Sequence, residues 1–299
     1  MTQTGTTADE VAVAPDDVTP VEPPASRSWW RLIVLGIGAL VFVFPFYYMI
    51  IGSLQKNQNT SLSGIVPQPG NVTLRNYGEI NAALNLGKTL INSGVFTGGV
   101  LLATVVFGVL AGYALAQLRF RGRGLLFVSM LLLLMVPFQL LIIPLYVLIV
   151  RYYGLGDSYL GMIAPFAINS TAVFIFRQYF LQLPKELFDA ARIDGANEFR
   201  ILTRIALPLV RPALLTAMLL TFIGPWNEYL WPFLITKQQS MQPLAVALAN
   251  YMNTVQSTVS NPFGTILAGA VVLAVPAVAL FLAFQRYFVA PNIGSAVKG

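Results

Sequence analysis

The sequence predicts an all-α membrane protein of six transmembrane helices, and three observations lead there. The 299-residue chain is 56% hydrophobic and only 10% charged, with mean hydropathy +0.70, whereas soluble domains carry about 25% charged residues. Its apolar runs reach the roughly 20 residues that a helix needs to cross a hydrocarbon core about 30 Å thick. Lysine and arginine are shared unevenly among the segments between those runs, as the topology of a multi-span protein requires.

Taken in order, residues 1–28 form an acidic tail. Asp9, Glu10, Asp16, Asp17 and Glu22 stand among Pro15, Pro20, Pro23 and Pro24, a composition that cannot bury enough apolar surface to fold. No basic start with an early apolar run and cleavage site is present, so the first apolar run is expected to stay as an anchor. Residues 29–87 hold that span, Leu32 to Leu54, and an outer loop. Residues 88–287 form the main membrane domain, with spans at Leu90–Ala116, Leu125–Val150, Leu160–Phe180, Pro212–Ile235 and Thr265–Tyr287. Pro137 and Pro144 in the third span, and Pro225 and Pro232 in the fifth, predict kinks or breaks in those two. Residues 288–299 are a short tail. Gly94 with Gly98, and Gly108 with Gly112, form small-xxx-small pairs in the second span that predict close helix packing.

With the N-terminus inside, thirteen basic residues face the cytoplasm and Lys56, Arg75, Lys88, Arg151 and Lys237 face out. The net charge of +6 is therefore a topology signal and not a nucleic-acid patch. Both termini are expected inside. The chain has no cysteine and no histidine, which excludes disulfides, thiol nucleophiles and imidazole acid–base chemistry. No catalytic residue and no metal site is expected.

The longest charged segment is the loop Pro184–Pro212, PKELFDAARIDGANEFRILTRIALPLVRP, and the charge count places it inside. Pro184 suits a helix start, and Glu186 and Asp189 favour the N-terminal end of the dipole. Ala190 and Ala191 are expected to keep the outer face slim, so that another protein can approach. Gly195 allows a turn that a Cβ would strain. A second helix is expected from the cap Asn197 to Ala206, with Phe199, Leu202 and Ile205 on one apolar side and Pro208 turning the chain back toward the bilayer.

Asp189-Ala190-Ala191, then Asp194-Gly195-Ala196, Ile205 and Leu207-Pro208, resembles the EAA loop of ABC importer permeases, with Asp in place of the usual Glu. Phe176–Ala196, Trp226–Ile235 and Gly294–Gly299 further resemble type I carbohydrate-importer permeases, and the second of their two paired subunits; glycerol-phosphate uptake systems share these passages, so the resemblance implies a sugar, an oligosaccharide or a glycerol-phosphate-like solute. That resemblance implies a multi-pass bacterial or archaeal cell-membrane protein. It implies a partner permease, two ATP-binding subunits that carry ATP and Mg, and an extracytoplasmic sugar-binding protein; this chain itself binds no cofactor. It assigns coupling to Glu186, Asp189, Ala190, Ala191, Asp194, Gly195, Ala196, Leu207 and Pro208. Gly87-Lys88-Thr89 is not a phosphate loop, because the required first glycine is Ala82.

Polar groups inside spans are costly and often functional. Gln139, Asn169, Trp226, Asn227 and Glu228 are the candidates for the solute pathway, since sugar sites join aromatic faces with planar hydrogen-bonding groups. The alternative reading is a proton- or ion-coupled carrier. Such carriers need buried acids as relays, and eleven of the twelve acids lie outside the spans, leaving Glu228.

Overall fold

The structure, a computed structural model, describes residues 29–59, 61–254 and 261–289. The acidic tail and the Gly294–Gly299 segment lie outside the described residues. All regular structure among the latter is helical, apart from one antiparallel bridge between Gln55 and Val72.

The chain divides into two units, with the division at Tyr47 inside the first helix, α1 (Trp29–Ser53). The described part of the first unit, residues 29–47, exposes apolar side chains such as Leu35, Leu40 and Phe42. An all-round apolar helix is suited to lipid or to another membrane helix.

In the second unit, α2 (Arg75–Leu84) lies before α3 (Leu86–Gln117), and α14 (Pro262–Val289) ends the described chain. By length and composition α1, α3 and α14 can each cross a bilayer, and the count among the described residues reaches up to six if each of three bent helix pairs is one span. One pair joins the loop's second arm, Glu198–Leu209, to Arg211–Asn227 in the expected fifth span, and the other two fall in the expected third and fourth spans.

In the third, α4 (Arg123–Leu133) and α5 (Phe138–Tyr146) meet at 97°. Pro137 disfavours helix at the residue before it, and the last turn of α4 closes with tight three-residue bonds such as Val136 N–H to the Leu133 carbonyl. Pro144 does not end α5; a wider π turn, Val147–Tyr152, follows it.

The fourth span bends by 51° between the run beginning with α6 (Tyr159–Ile163) and α7 (Ser170–Gln182). The proline rule as applied above did not anticipate this break. Asn169 opens α7 as a cap, accepting from Ala172 N–H at 3.0 Å, so the chain restarts a helix in mid-span.

The loop arms are α8 (Lys185–Ile193), α9 (Glu198–Ile201) and α10 (Leu207–Leu209), followed by a 79° bend into α11 (Arg211–Asn227). The fifth span breaks again after α11, at Glu228-Tyr229, before α12 (Leu230–Ile235). Glu228 Oε1 accepts the Trp231 N–H at 3.2 Å and serves as the cap of that short helix. A further helix, α13 (Leu244–Thr254), lies between the fifth and sixth spans and buries Leu244, Val246, Ala247 and Leu248.

Close packing is localised at Gly112 and Gly108. A Cβ on Gly112 would lie 2.6 Å from Phe176 Cβ and 3.0 Å from Arg177 N, and one on Gly108 3.1 Å from the Phe176 ring. That pair behaves as expected and lets α7 approach α3. Gly94 and Gly98 do not: a Cβ on either meets nothing within 4 Å, and the close approach in that half is made at Gly99 against Ile163.

At the other end of the second unit, buried amides hold the chain segments together. Asn76 Nδ2 donates to the carbonyls of Ser53 and Gln55 at 2.8 Å each, and Asn261 Nδ2 donates to Gln55 at 2.9 Å. Asn92 Nδ2 donates to the carbonyls of Ser240 and Gln242, and Asn92 Oδ1 accepts from the Tyr159 hydroxyl. Buried polar groups are tolerated where they are paired in this way.

Candidate coupling site

The Pro184–Pro212 loop is a two-armed elbow seated on the membrane helices. Pro184 directly precedes α8 with φ −57° and ψ 132°, and Glu186 lies in the first turn and Arg192 in the last, both favourable to the helix dipole. The end of α8 is a Schellman motif. Ala196 N–H donates to the Ala191 carbonyl at 3.0 Å and Gly195 N–H to the Arg192 carbonyl at 3.1 Å. Gly195 sits at φ +81°, a left-handed conformation that costs glycine nothing. The spacing from Ala191 to Gly195 and Ala196 is thus the spacing of a helix stop.

Asn197 opens the second arm as expected, accepting from Arg200 N–H at 2.8 Å. The arm then differs from expectation. It is α-helical only to Ile201, widens into a π turn over Leu202–Ala206, and continues through Pro208 to Leu209. Pro208 therefore does not end the helix. Its missing N–H falls at the start of the last segment, and the reversal toward the bilayer comes at the bend after Val210.

Burial separates an inner from an outer face. Phe188, Ile201, Ala206 and Val210 are fully buried, with Ala191 and Leu202 nearly so, in one core with Tyr113, Phe176 and Phe180 of α3 and α7. Fully burying a side chain of the Leu or Phe class contributes about 1.5–3 kcal/mol, so the elbow is anchored and cannot swing as a loose connector. Ala191 consequently belongs to the inner face. Its small side chain serves packing beneath α8, correcting the expectation that it keeps the outer face slim. Phe199 is likewise corrected: it is 69% exposed and does not share the buried side of Leu202 and Ile205.

Outward stand Glu186, Asp189, Ala190, Asp194, Gly195 and Pro208, joined by Ile193 at 87% exposure. Ala196 and Leu207 are half-buried against the core. Two exposed apolar groups, Ile193 and Phe199, flank the turn, and sequence reasoning missed Ile193 altogether. Its signal was available: an apolar residue in the last turn of α8, on the side opposite Phe188.

A polar chain ties the elbow to α3. Tyr113 hydroxyl donates to Glu198 Oε2 at 2.5 Å; Arg192 donates to Glu198 Oε1 at 2.8 Å and to Asp189 Oδ1 at 3.1 Å. Arg192 holds the Glu198 carboxyl below the usual carboxylate range against the opposing effect of its burial, with help from Tyr113. Glu198 in turn raises the Arg192 guanidinium. Asp189 is thus already paired within the chain, though 67% of its side chain remains exposed.

The candidate pathway residues are not brought together. Gln139 is exposed on α5. Trp226 is buried, stacks on Phe222 at 5.4 Å and donates Nε1–H to the Leu273 carbonyl at 2.9 Å. Asn227 donates to the Ile223 carbonyl in its own helix, and Glu228 caps α12. Asn169 lines a cavity of about 120 Å³, with Thr171 and Thr221 beside Ala172, Ile175, Ala217 and Leu220.

Comparison with known proteins agrees with this architecture. Residues 104–290 match the family described as binding-protein-dependent transport system inner membrane component. The chain is 37% identical over 275 residues to the arabinooligosaccharides transport system permease protein AraQ of Halalkalibacterium halodurans, covering 91% of this chain and 97% of that one. It is 33% identical over 263 residues to the sn-glycerol-3-phosphate transport system permease protein UgpE of Yersinia pestis, covering 86% and 92%. Among solved structures it resembles a chain of a bacterial ABC transporter involved in the import of the acidic polysaccharide alginate, with TM-score 0.76, 25% identity, and coverage of 89% and 99%. The elbow, the broken spans and these matches identify the chain as a member of the binding-protein-dependent transport system inner membrane components, the permeases of ABC importers.

Proposed function

We propose that this chain is one of two permeases in an ATP-driven importer of a carbohydrate, and that the outer face of α8 receives a separate ATPase subunit. The observation that carries the reading is the seated elbow: an anchored inner face with an exposed outer arm of Glu186, Asp189, Ala190, Ile193 and Asp194. Force applied to such an arm reaches α3, α7 and α11 through Phe188, Ile201 and Val210 and is not lost in bending. Ala196 and Leu207 support the arm from behind, while Pro208 stays exposed. ATP and Mg reside on the partner subunits, and a binding protein delivers the solute from the far side. The charge distribution supports cytoplasmic termini.

Transport by alternating access requires that nucleotide favour the outward-facing state over the inward-facing one. The relatives named above act on arabinooligosaccharides, alginate and sn-glycerol-3-phosphate. The cavity at Asn169 is lined by an amide, two threonines and apolar groups, with no cation, which favours a neutral hydroxyl-rich solute over a phosphate ester. Asn169 is the residue we assign to the pathway; Trp226, Asn227 and Glu228 hold the fifth span in shape, and Gln139 stands exposed on α5.

The test is affinity purification of the complex, reconstitution with its binding protein, and measurement of ATP hydrolysis against a panel of sugars and glycerol phosphate. Stimulation by a neutral sugar is expected. A chain that purifies without ATPase subunits and moves solute in the absence of ATP would overturn the reading.

A further inference from the structure

We propose that a basic cavity between the end of α3 and the start of α8 binds a phosphate-bearing anion, supplied at this depth by the headgroup of an anionic phospholipid. The cavity has a volume of about 170 Å³, several times the ~30 Å³ share of a water molecule, so it admits a polyatomic group. Arg119, Arg123, Lys185 and Arg192 line it, with Asp189 as the sole carboxylate on the wall and Glu198 beside it in the adjoining cleft.

The two carboxylates are already satisfied. Both accept from Arg192, and Glu198 also accepts from Tyr113. Arg123 spends one donor on the Leu118 carbonyl at 3.1 Å. Arg119 and Lys185 have no hydrogen-bond or ion-pair partner among the described residues. Four cations converge where two carboxylates are engaged by one of them, leaving a surplus of positive charge that a dianionic or monoanionic phosphate ester would fill with charge-assisted hydrogen bonds.

Position favours a lipid source. The cavity lies at the end of a spanning helix, its wall includes Leu181, which is 42% exposed, and α4 presents Leu125 and Leu126 to the surroundings just beyond Arg123. Basic pockets between transmembrane helices on the cytoplasmic side hold acidic headgroups by this chemistry. An anion held there would bridge Arg119 and Arg123 to Lys185 and Arg192, fastening the elbow to α3 from outside the apolar core. The inference rests on the cytoplasmic placement given above.

The experiment places the whole complex in lipid discs of phosphatidylcholine alone or with added phosphatidylglycerol. Native mass spectrometry reads the lipid retained and the subunits present, and hydrogen exchange reads residues 185–193. The wild type is expected to retain phosphatidylglycerol selectively, and R119Q/K185Q to weaken that retention about 30-fold for two charges. The charge-preserving R119K/K185R should keep it; loss there would overturn the charge argument even if the glutamine variant fails to assemble. Inorganic phosphate added to phosphatidylcholine discs forms the second arm. Protection of 185–193 by phosphate without lipid selection supports the same site with a soluble ligand. Neither lipid selection nor phosphate protection in the wild type overturns the proposal. ATPase subunits are counted in the same spectra, so their absence would sink the functional reading separately.

Discussion

Replacing Gly195 separates backbone conformation from steric crowding, because a Cβ at this position meets nothing within 4 Å while φ is +81°. Any penalty therefore comes from the left-handed conformation alone. For a β-branched residue such a backbone costs about 1–3 kcal/mol, whereas asparagine is enriched there and tolerated. Relieving the strain in Gly195→Val would rotate the turn and break the bonds from Ala196 to Ala191 and from Gly195 to Arg192. At about 2 kcal/mol the intact elbow loses a factor of roughly 30 relative to distorted forms. In a reconstituted complex, Gly195→Val should still insert but lose most solute-stimulated ATP hydrolysis, while Gly195→Asn keeps most of it. Equal activity of the two would refute the claim that this turn sets the angle of the arm.

Asp189→Lys should reduce the ATPase subunits retained on affinity purification, since it reverses charge on the exposed arm and sets a lysine against Arg192; full retention would contradict docking at α8. Gly112→Ala should overpack α3 against α7 at an expense of about 1–3 kcal/mol, read as a lower melting temperature of the detergent-solubilised chain. Tyr113→Phe keeps the edge contact with Phe180 at 5.5 Å but removes a hydrogen bond to a carboxylate, a loss of about 1.5–3 kcal/mol, and should raise hydrogen exchange in the second arm. Because Glu198 has its folded pKa lowered, its contribution is present above the ordinary carboxylate value of about 4.3 and is lost as pH falls through the lower folded value. Melting curves should accordingly drop more steeply on acidification for the wild type than for Glu198→Gln, by a margin that added salt reduces because the group is 41% exposed.

Much of the elbow was legible from local chemistry. Pro184 before α8, the stop at Gly195 and the cap at Asn197 depend only on residues within a few positions of one another. The breaks in the third and fifth spans were announced by Pro137 and by the fifth span's prolines, although the fifth parts at Glu228 where a side chain caps the next helix. The fourth carried its own proline, Pro165, in the tight turn just before the bend, but that signal was not used, and Asn169 reads equally as a polar residue in a continuous span. Helices α2 and α13 went unanticipated because their short apolar faces, Ile80 and Leu244 to Leu248, are buried only when α14 and α3 are beside them. Trp226, Asn227 and Glu228 looked like a sugar site in sequence; each proved to be engaged with nearby backbone, Trp226 with Leu273 forty-seven residues away.

Composition and run length by themselves determined that this is a helical membrane protein of up to six spans, because transfer of some 20 apolar residues into hydrocarbon outweighs local preference. The short periodic signals around Gly195 determined the turn, because they are satisfied within one helix end. Which face of the elbow is buried was decided only in three dimensions. Phe188 and Ala191 point inward and Ile193 outward because Tyr113 of α3 joins Phe176 and Phe180 of the preceding helix to cover one side, and the Tyr113–Glu198 bond joins residues 85 apart. Such contacts lower the free energy only after the helices have packed, so no reading of neighbours along the chain could have assigned them.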